Sequence, residues 1–377
     1  MTSSPPVVVV GAGIIGCATA FELGRRGVAC LVLDAAAEPG QASRAAAGML
    51  SPPNETALPA PMYELGMASL RLYQDLAPDL KERTGIDVGY RIVGKLRLAP
   101  SEAEMPELRA AADWQAQVGW PSTWLEGQTL ADVEPQAARA VAGLLSEVEG
   151  QVNPVRLLAA LRSAATVLGA RFQTGVQVTD LIATGGRVRG VVSATGERYE
   201  ADHVILAAGA WAGAMGRWCG QEWPLEPVRG QIAALEMLPL PVQRPVFGPH
   251  GFALPRDGLV LVGSTAERAG FDPRVTLEGL GSVLATGQAL VPALAGATYR
   301  TSWAGLRPGT ADGRPLMGAV PGHDGLFVAA GHFRSGIVLA PMTAQIMADL
   351  ICDGRTNVDL EPFAPARFAA VPSRSPV

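Results

Sequence analysis

The chain has 377 residues, 48% of them hydrophobic and 17% charged, with a formal net charge of −5. Such a composition supports a large core in two domains of ordinary size and excludes wholesale disorder. The acidic balance leaves no basic footprint of the kind a nucleic-acid partner requires.

Val7–Val10 is an unbroken run of β-branched residues, as in a strand buried on both faces of a parallel sheet. Gly11-Ala-Gly13-Ile-Ile-Gly16 follows, then a helical stretch from Ile14 to Arg26 that Gly27 stops. Val28–Leu33 reads as the next strand and ends in Asp34, completing a βαβ unit. Ser51–Pro61, rich in proline and alanine, reads as mobile, and Met62–Arg83 as a helix. Next come a strand over Tyr90–Leu98, helices over Ser101–Val118 and Val155–Leu168, and a strand over Arg171–Val178. Arg187–Ala201 alternates around Thr195-Gly196, which predicts a hairpin. His203–Ala208 is again an apolar strand, ending in Gly209. Pro227–Leu235, Gly251–Pro255 and Leu259–Gly263 read as antiparallel strands, the last two joined by a turn at Arg256-Asp257-Gly258. A helix over Leu277–Leu290 leads back to Trp303–Thr310, where Gly305–Pro308 reads as a rigid turn. Gly325–Ala330 is the last buried strand and Gly336–Ile351 the last helix.

Parallel-sheet signals thus stand at both ends and in the middle, with antiparallel stretches between. The predicted class is α/β, with a Rossmann-like domain over 1–88, 150–222 and 304–377 and a discontinuous antiparallel-sheet domain over 89–149 and 223–303. Cys17, Cys30, Cys219 and Cys352 form no CxxC pair and show no metal spacing, which fits reduced thiols in a cytoplasmic protein that holds no metal. The first six residues carry no basic region, and Val7–Val10 is too short for a signal core. The stretch nearest to a membrane span, Ile337–Ile351, is interrupted by Pro341, Gln345 and Asp349, so no integral membrane segment is expected.

GxGxxG alone is a weak signal, but here a strand precedes it, a helix follows, and Asp34 stands at about the expected spacing of roughly 20 residues. Gly11, Gly13 and Gly16 allow the tight turn, the approach of backbone to pyrophosphate and the packing of helix on strand. The helix N-terminus offers N–H groups to the phosphates, and Asp34 can accept from the ribose hydroxyls. A second βαβ half would favour NAD. The chain continues instead with Gly40-Gln-Ala-Ser43-Arg44-Ala-Ala-Ala47-Gly48-Met49-Leu50, whose small residues allow close approach to a flat ring. Ser43 and Arg44 can reach phosphate, although an ordinary alanine-rich helix accounts for the segment equally well.

With these features the sequence resembles the D-amino-acid oxidase superfamily of FAD enzymes, and within it most closely the glycine oxidases. The markers are VVVVGAGIIG, SRAAAGML (Ser43–Leu50), HVILAAGAWAG (His203–Gly213), VRGQ (Val228–Gln231), WAGLRPGTADGRPLMG (Trp303–Gly318) and AAGHFRSGIVLAP (Ala329–Pro341). The resemblance implies non-covalent FAD lined by Ile14, Ile15, Asp34, Ala35, Ala42, Ser43, Ala47, Gly48, Met49, Val176, Gly209 and Gly331. It further implies that His332, Phe333, Arg334, Ser335, Gly336, Ile337 and Val338 wrap the flavin. Arg307 and Arg334 then face the substrate, with His250 and Phe252 in its roof. The relatives that link FAD through cysteine carry it near Trp303–Pro308, where this chain has none.

A guanidinium forks two hydrogen bonds onto a carboxylate, which suits Arg307 to anchoring an amino acid, though a structural ion pair is an equal alternative on spacing alone. Arg334 precedes the last helix, whose N-terminus is expected to point at the flavin edge that gains negative charge on reduction. The best-known glycine oxidase pattern carries a tyrosine where this chain has Phe252, which removes one hydroxyl from the carboxylate site. His250 is read as a neutral structural histidine in preference to a base and His332 as a flavin-positioning residue, so no side chain is assigned a catalytic proton transfer. The expected function is oxidation of glycine, with sarcosine or small D-amino acids as further substrates, by dioxygen to a 2-oxo acid, ammonia or amine, and hydrogen peroxide. The family link implies a role in making the thiazole of thiamine, and a homotetramer. The rivals are a D-amino-acid dehydrogenase that reduces quinone and a flavin-binding protein without turnover.

Overall fold

The computed structural model describes residues 6–52 and 60–368. Most of the proline- and alanine-rich stretch, 53–59, lies outside the described residues, as do both ends of the chain.

Val7–Val10 sits inside a six-stranded sheet, parallel to Cys30–Asp34 on one side and His203–Leu206 on the other. Arg171–Thr174 and Leu326–Ala330 extend it in parallel, and Leu316–Ala319 closes one edge antiparallel. Successive strand residues face opposite ways, so the valine run supplies two cores at once. Val7 and Val9, with Cys30 and Val32, pack under the helices Ile14–Arg25, Pro154–Val167 and Gly336–Cys352. Val8 and Val10, with Leu31 and Leu33, meet a three-stranded meander, Val178–Thr184, Arg187–Ser193 and Arg198–Glu200. Helix starts follow local chemistry: Asn153 accepts from the backbone N–H groups of Val155 and Arg156, with Pro154 at the first helical position.

An eight-stranded sheet stands over the carboxyl ends of these strands. Its order runs Thr298–Thr310, Leu225–Glu236, Leu259–Gly263, Gly251–Arg256, Val246–Gly248, Lys95–Ala99, Ala142–Ser146, Thr123–Leu125. The sequence reading missed Thr123–Leu125, Ala142–Ser146 and the short helix Gly127–Val133, because three to seven residues carry too little periodicity. Ala233, Leu235 and Val262 pack beneath the helix Leu277–Leu290, whereas Ile232, Phe252, Leu254 and Leu261 form a separate cluster on the other face.

Gly305–Pro308 is not a turn. It lies within the strand Thr298–Thr310, which pairs with Leu225–Glu236 along its length and sets Arg307 opposite Val228. Proline at 308 suggested a turn, but the strand is the edge of its sheet, where a missing N–H costs no ladder bond. The same strand runs unbroken across position 304, where the expected domain boundary falls. No helix among the described residues is long and apolar enough to cross a membrane.

Candidate active site

Between the two sheets lies a cavity of about 830 Å³. At one end are Val10, Gly11, Leu33, Asp34, Ala207 and Ala208, where the parallel strands terminate, the usual place for a dinucleotide in an open α/β sheet. Gly16 brings the first helix there: a Cβ at that position would stand 1.9 Å from the Gly11 carbonyl oxygen, so no larger residue permits the close packing. The Asp34 carboxylate accepts from Ala12 N–H at 2.7 Å and Ala36 N–H at 2.8 Å, which fixes it at the cavity wall. Ser43 Oγ accepts from Ile14 N–H at 2.9 Å and so ties the small-residue segment to the helix N-terminus. A Cβ at Gly13 would reach only Ser43 Oγ, at 3.5 Å, and one at Gly209 would meet nothing within 4 Å. A helix N-terminus, a fixed carboxylate and a lining of glycine and alanine make a cradle that fits FAD.

The alanines pack by shape. Gln41–Ala45 is a short helix against the strand that carries Arg307, and a Cβ at Gly305 would lie 2.5 Å from Ala45 Cβ. Gln41 Oε1 accepts from Leu306 N–H at 2.8 Å, and Trp303 Nε1 donates to the Ala45 carbonyl at 3.1 Å. Arg256 donates to the carbonyls of Ala46 and Ala47 from the strand Gly251–Arg256. These partners escaped the sequence reading because each is a long-range pairing with no local pattern.

At the far end Arg307, half-buried, donates from Nη1 to the Thr265 carbonyl at 3.0 Å and from Nη2 to Ser264 Oγ at 2.8 Å. Its guanidinium lies across Gly230, where a Cβ would come within 2.1 Å of Nη2. These bonds set the guanidinium plane on the cavity wall, the arrangement a carboxylate ligand needs. Phe252 is buried and its ring packs on Phe247 at 5.4 Å, both lining the cavity. His250, exposed, stands beside them, between the strands Val246–Gly248 and Gly251–Arg256.

The last helix enters from below. His332 is buried, with Nε2 3.0 Å from Thr343 Oγ1, and desolvation pushes its pKa down to about 3. Its imidazole is therefore neutral. Phe333 holds φ +46, a left-handed conformation that non-glycine residues rarely adopt, and its N–H donates to the Pro308 carbonyl at 3.1 Å. Arg334 is exposed on the cavity wall, its guanidinium 5.2 Å from the Phe333 ring centroid. Tyr73 Oη donates to the Ile337 carbonyl at 2.5 Å, which braces the helix start.

The cavity lining brings together Gly11, Gly13, Ile14, Ile15, Asp34, Ala35, Ala42, Ser43, Ala47, Gly48, Met49, Val176, Gly209, Gly331, His332, Phe333, Arg334, Gly336 and Ile337, with Arg307, His250 and Phe252. Four expected residues stand off the wall. Arg44 is exposed and pairs with Glu38 at 2.9 Å, because the short helix turns it outward. Gly16 serves packing, Ser335 stands at the N-cap position of the last helix with no side-chain cap bond, and Val338 is buried in the core. Trp211, Phe247 and Ser264 line the cavity without having been predicted. Among the described residues, no group of His, Cys, Asp or Glu side chains is placed to hold a metal ion.

Comparison with known proteins agrees with this geometry. The family model described as FAD dependent oxidoreductase matches residues 6–350. A glycine oxidase of Geobacillus kaustophilus is 37% identical over 97% of this chain and 98% of its own length. The bifunctional protein ThiO/ThiG of Synechocystis is 35% identical over 98% of this chain and 55% of that larger protein. The crystal structure of glycine oxidase from Geobacillus kaustophilus superposes with a TM-score of 0.93 at 34% identity, covering 96% of this chain and 98% of that one. The chain belongs to the FAD dependent oxidoreductase (D-amino-acid oxidase) family, and FAD is its cofactor.

Proposed function

We propose that this protein is a glycine oxidase: it oxidises glycine, with water and dioxygen, to glyoxylate, ammonia and hydrogen peroxide. FAD, when bound, would supply the two-electron redox chemistry between the substrate and dioxygen. The chain's own residues supply binding, orientation and electrostatics. Asp34, Ser43 and the first helix's N-terminus would hold the dinucleotide end, while Gly331 to Arg334, Gly336 and Ile337 would hold the ring end. Arg307 grips the substrate carboxylate, and its two bonds to the Ser264–Thr265 segment keep that grip in one orientation. Arg334 adds a second cation at the cavity wall. Neutral His332 steadies the floor and moves no proton.

The observation that carries this reading is Arg307, set on the cavity wall by its strand and by its bonds to the Thr265 carbonyl and Ser264 Oγ. Relatives named glycine oxidase and ThiO/ThiG support both the substrate and a role in thiamine thiazole formation. Sarcosine and small D-amino acids are further expected substrates, and Phe252 offers the carboxylate of each, as of glycine, no hydroxyl. Four cysteines free of disulfides, three of them buried, fit the expected cytoplasmic setting, and a homotetramer is the assembly that the family resemblance implies. The test is peroxide release with glycine, sarcosine and D-alanine under air. Release with glycine is expected. Turnover only with an artificial acceptor would mean a dehydrogenase, and none with any acceptor would end the assignment.

A further inference from the structure

Strand alternation sends the side chains of Arg229 and Gln231 to the face of the sheet opposite the one on which Arg307 crosses Gly230. Both are buried, at 7% and 1% exposure, unusual for so polar a pair and calling for partners. Arg229 and Glu267 exchange backbone hydrogen bonds of 2.8 and 2.9 Å, so the segment leaving Leu259–Gly263 runs beside the Arg229 strand. Glu267 then gathers that face. Its Oε2 accepts from Arg229 Nε at 3.1 Å, and its Oε1 accepts from Gln231 Nε2 at 2.7 Å and Thr265 Oγ1 at 2.5 Å. Gln231 N–H donates to Thr265 Oγ1 at 2.9 Å, and Gln231 Oε1 accepts from Thr276 N–H at 2.9 Å, at the cap of the helix Leu277–Leu290. Arg229 Nη1 reaches Asp272 Oδ2 at 3.3 Å. Thr265 is therefore held from behind by two groups, the Gln231 N–H and the Glu267 carboxylate, while its carbonyl accepts from Arg307 in front.

We propose that Arg229, Gln231 and Glu267 are positioning residues for substrate recognition, fixing the Ser264–Thr265 segment against which Arg307 is aimed. This rests on Arg307 being the carboxylate anchor. The VRGQ segment acquires a reason residue by residue: Arg229 and Gln231 hold the back, and Gly230 clears the front for the guanidinium. Burial works to raise the Glu267 carboxyl pKa, and hydrogen bonds from Thr265, Arg229 and Gln231 outweigh it, holding the group below the ordinary carboxylate value and so ionised. A network that merely glued the fold would have no need to converge on the residue that contacts Arg307.

The test is a double-mutant cycle on the holoenzyme, with acetate as a carboxylate probe read by equilibrium titration and glycine by steady-state kinetics. Glu267→Ala and Gln231→Ala should each raise the acetate Kd and the glycine KM by about tenfold, the loss of one well-aimed charged hydrogen bond. At saturating glycine kcat should stay within about twofold, since the ring end of the cavity is untouched. In the Arg307→Ala background neither substitution should weaken acetate further. Wild-type acetate binding in a folded, yellow Glu267→Ala protein overturns the proposal, as does an undiminished penalty in the Arg307→Ala background. Gln231→Ala keeps the cycle intact if Glu267→Ala does not fold. A wild-type enzyme that neither binds acetate nor oxidises glycine would overturn the functional reading itself, a result distinct from these.

Discussion

Gly230→Ala puts one methyl group where the guanidinium of Arg307 now lies. The added Cβ would stand 2.1 Å from Nη2, 2.3 Å from Cζ and 2.4 Å from Nη1. Backbone cannot give way there, because Gly230 and Gly305 pair directly in the ladder between Leu225–Glu236 and Thr298–Thr310. The flexible side chain must move instead, breaking its bonds to the Thr265 carbonyl and Ser264 Oγ and leaving the carboxylate site. Losing a hydrogen bond to a charged group costs about 1.5–3 kcal/mol, so kcat/KM for glycine should fall roughly 10- to 100-fold. Most of the fall should appear in KM, and flavin content should be unchanged. Gly281→Ala is the control: on the helix Leu277–Leu290 its Cβ would meet nothing within 4 Å, and alanine is there the better helix former. A folded, flavin-loaded Gly230→Ala enzyme with wild-type KM would refute the placement of the substrate on Arg307.

Three further outcomes follow from the same geometry. Phe252→Tyr adds a hydroxyl beside the carboxylate site and should lower glycine KM by about two- to tenfold, the worth of one neutral hydrogen bond; an unchanged or higher KM counts against it. His332, with its pKa pushed down from 6.5 to about 3 by burial, stays neutral in the folded protein while the unfolded chain takes up a proton. Its contribution to stability is therefore full above pH 6.5 and is lost as pH falls from 6.5 toward 3, so Tm should drop less steeply over that window in His332→Gln than in wild type. Lys95 and Glu149 form a buried pair at 2.9 Å, and burial pulls the Lys95 pKa down with only partial compensation from Glu149. Glu149→Ala should cost about 3–5 kcal/mol in denaturant unfolding, and replacing Lys95 by methionine in the same chain should recover much of it; a Glu149→Ala protein as stable as wild type would contradict the pair's stated role.

The parallel half of the fold was legible because its signals are local. Four valines, a glycine turn and a closing aspartate specify strand, helix start and ribose-side carboxylate within one short βαβ unit. The Leu277–Leu290 helix was also legible at its stated bounds, from the spacing of its apolar residues. The Arg307 region was harder. Gly305 and Pro308 signal a turn locally, and only the distant Leu225–Glu236 strand makes them a ladder. Arg44 shows the opposite case: a cation in the right loop suggests a phosphate ligand, and the helix phase turns it toward Glu38. VRGQ stood out as a motif, yet its chemistry depends on Glu267 and Thr276, which chain order does not place beside it.

The central claim is that Arg307 holds an amino acid's carboxylate so that its α-carbon meets the flavin. Anaerobic titration of the purified yellow enzyme with glycine tests this without reliance on the electron acceptor. Glycine should bleach the wild-type flavin completely, and Arg307→Ala should need roughly 100-fold more glycine for the same bleaching, the loss of a bidentate charged pair. Flavin that glycine leaves yellow in the wild type, or that bleaches at equal glycine in Arg307→Ala, would contradict the account.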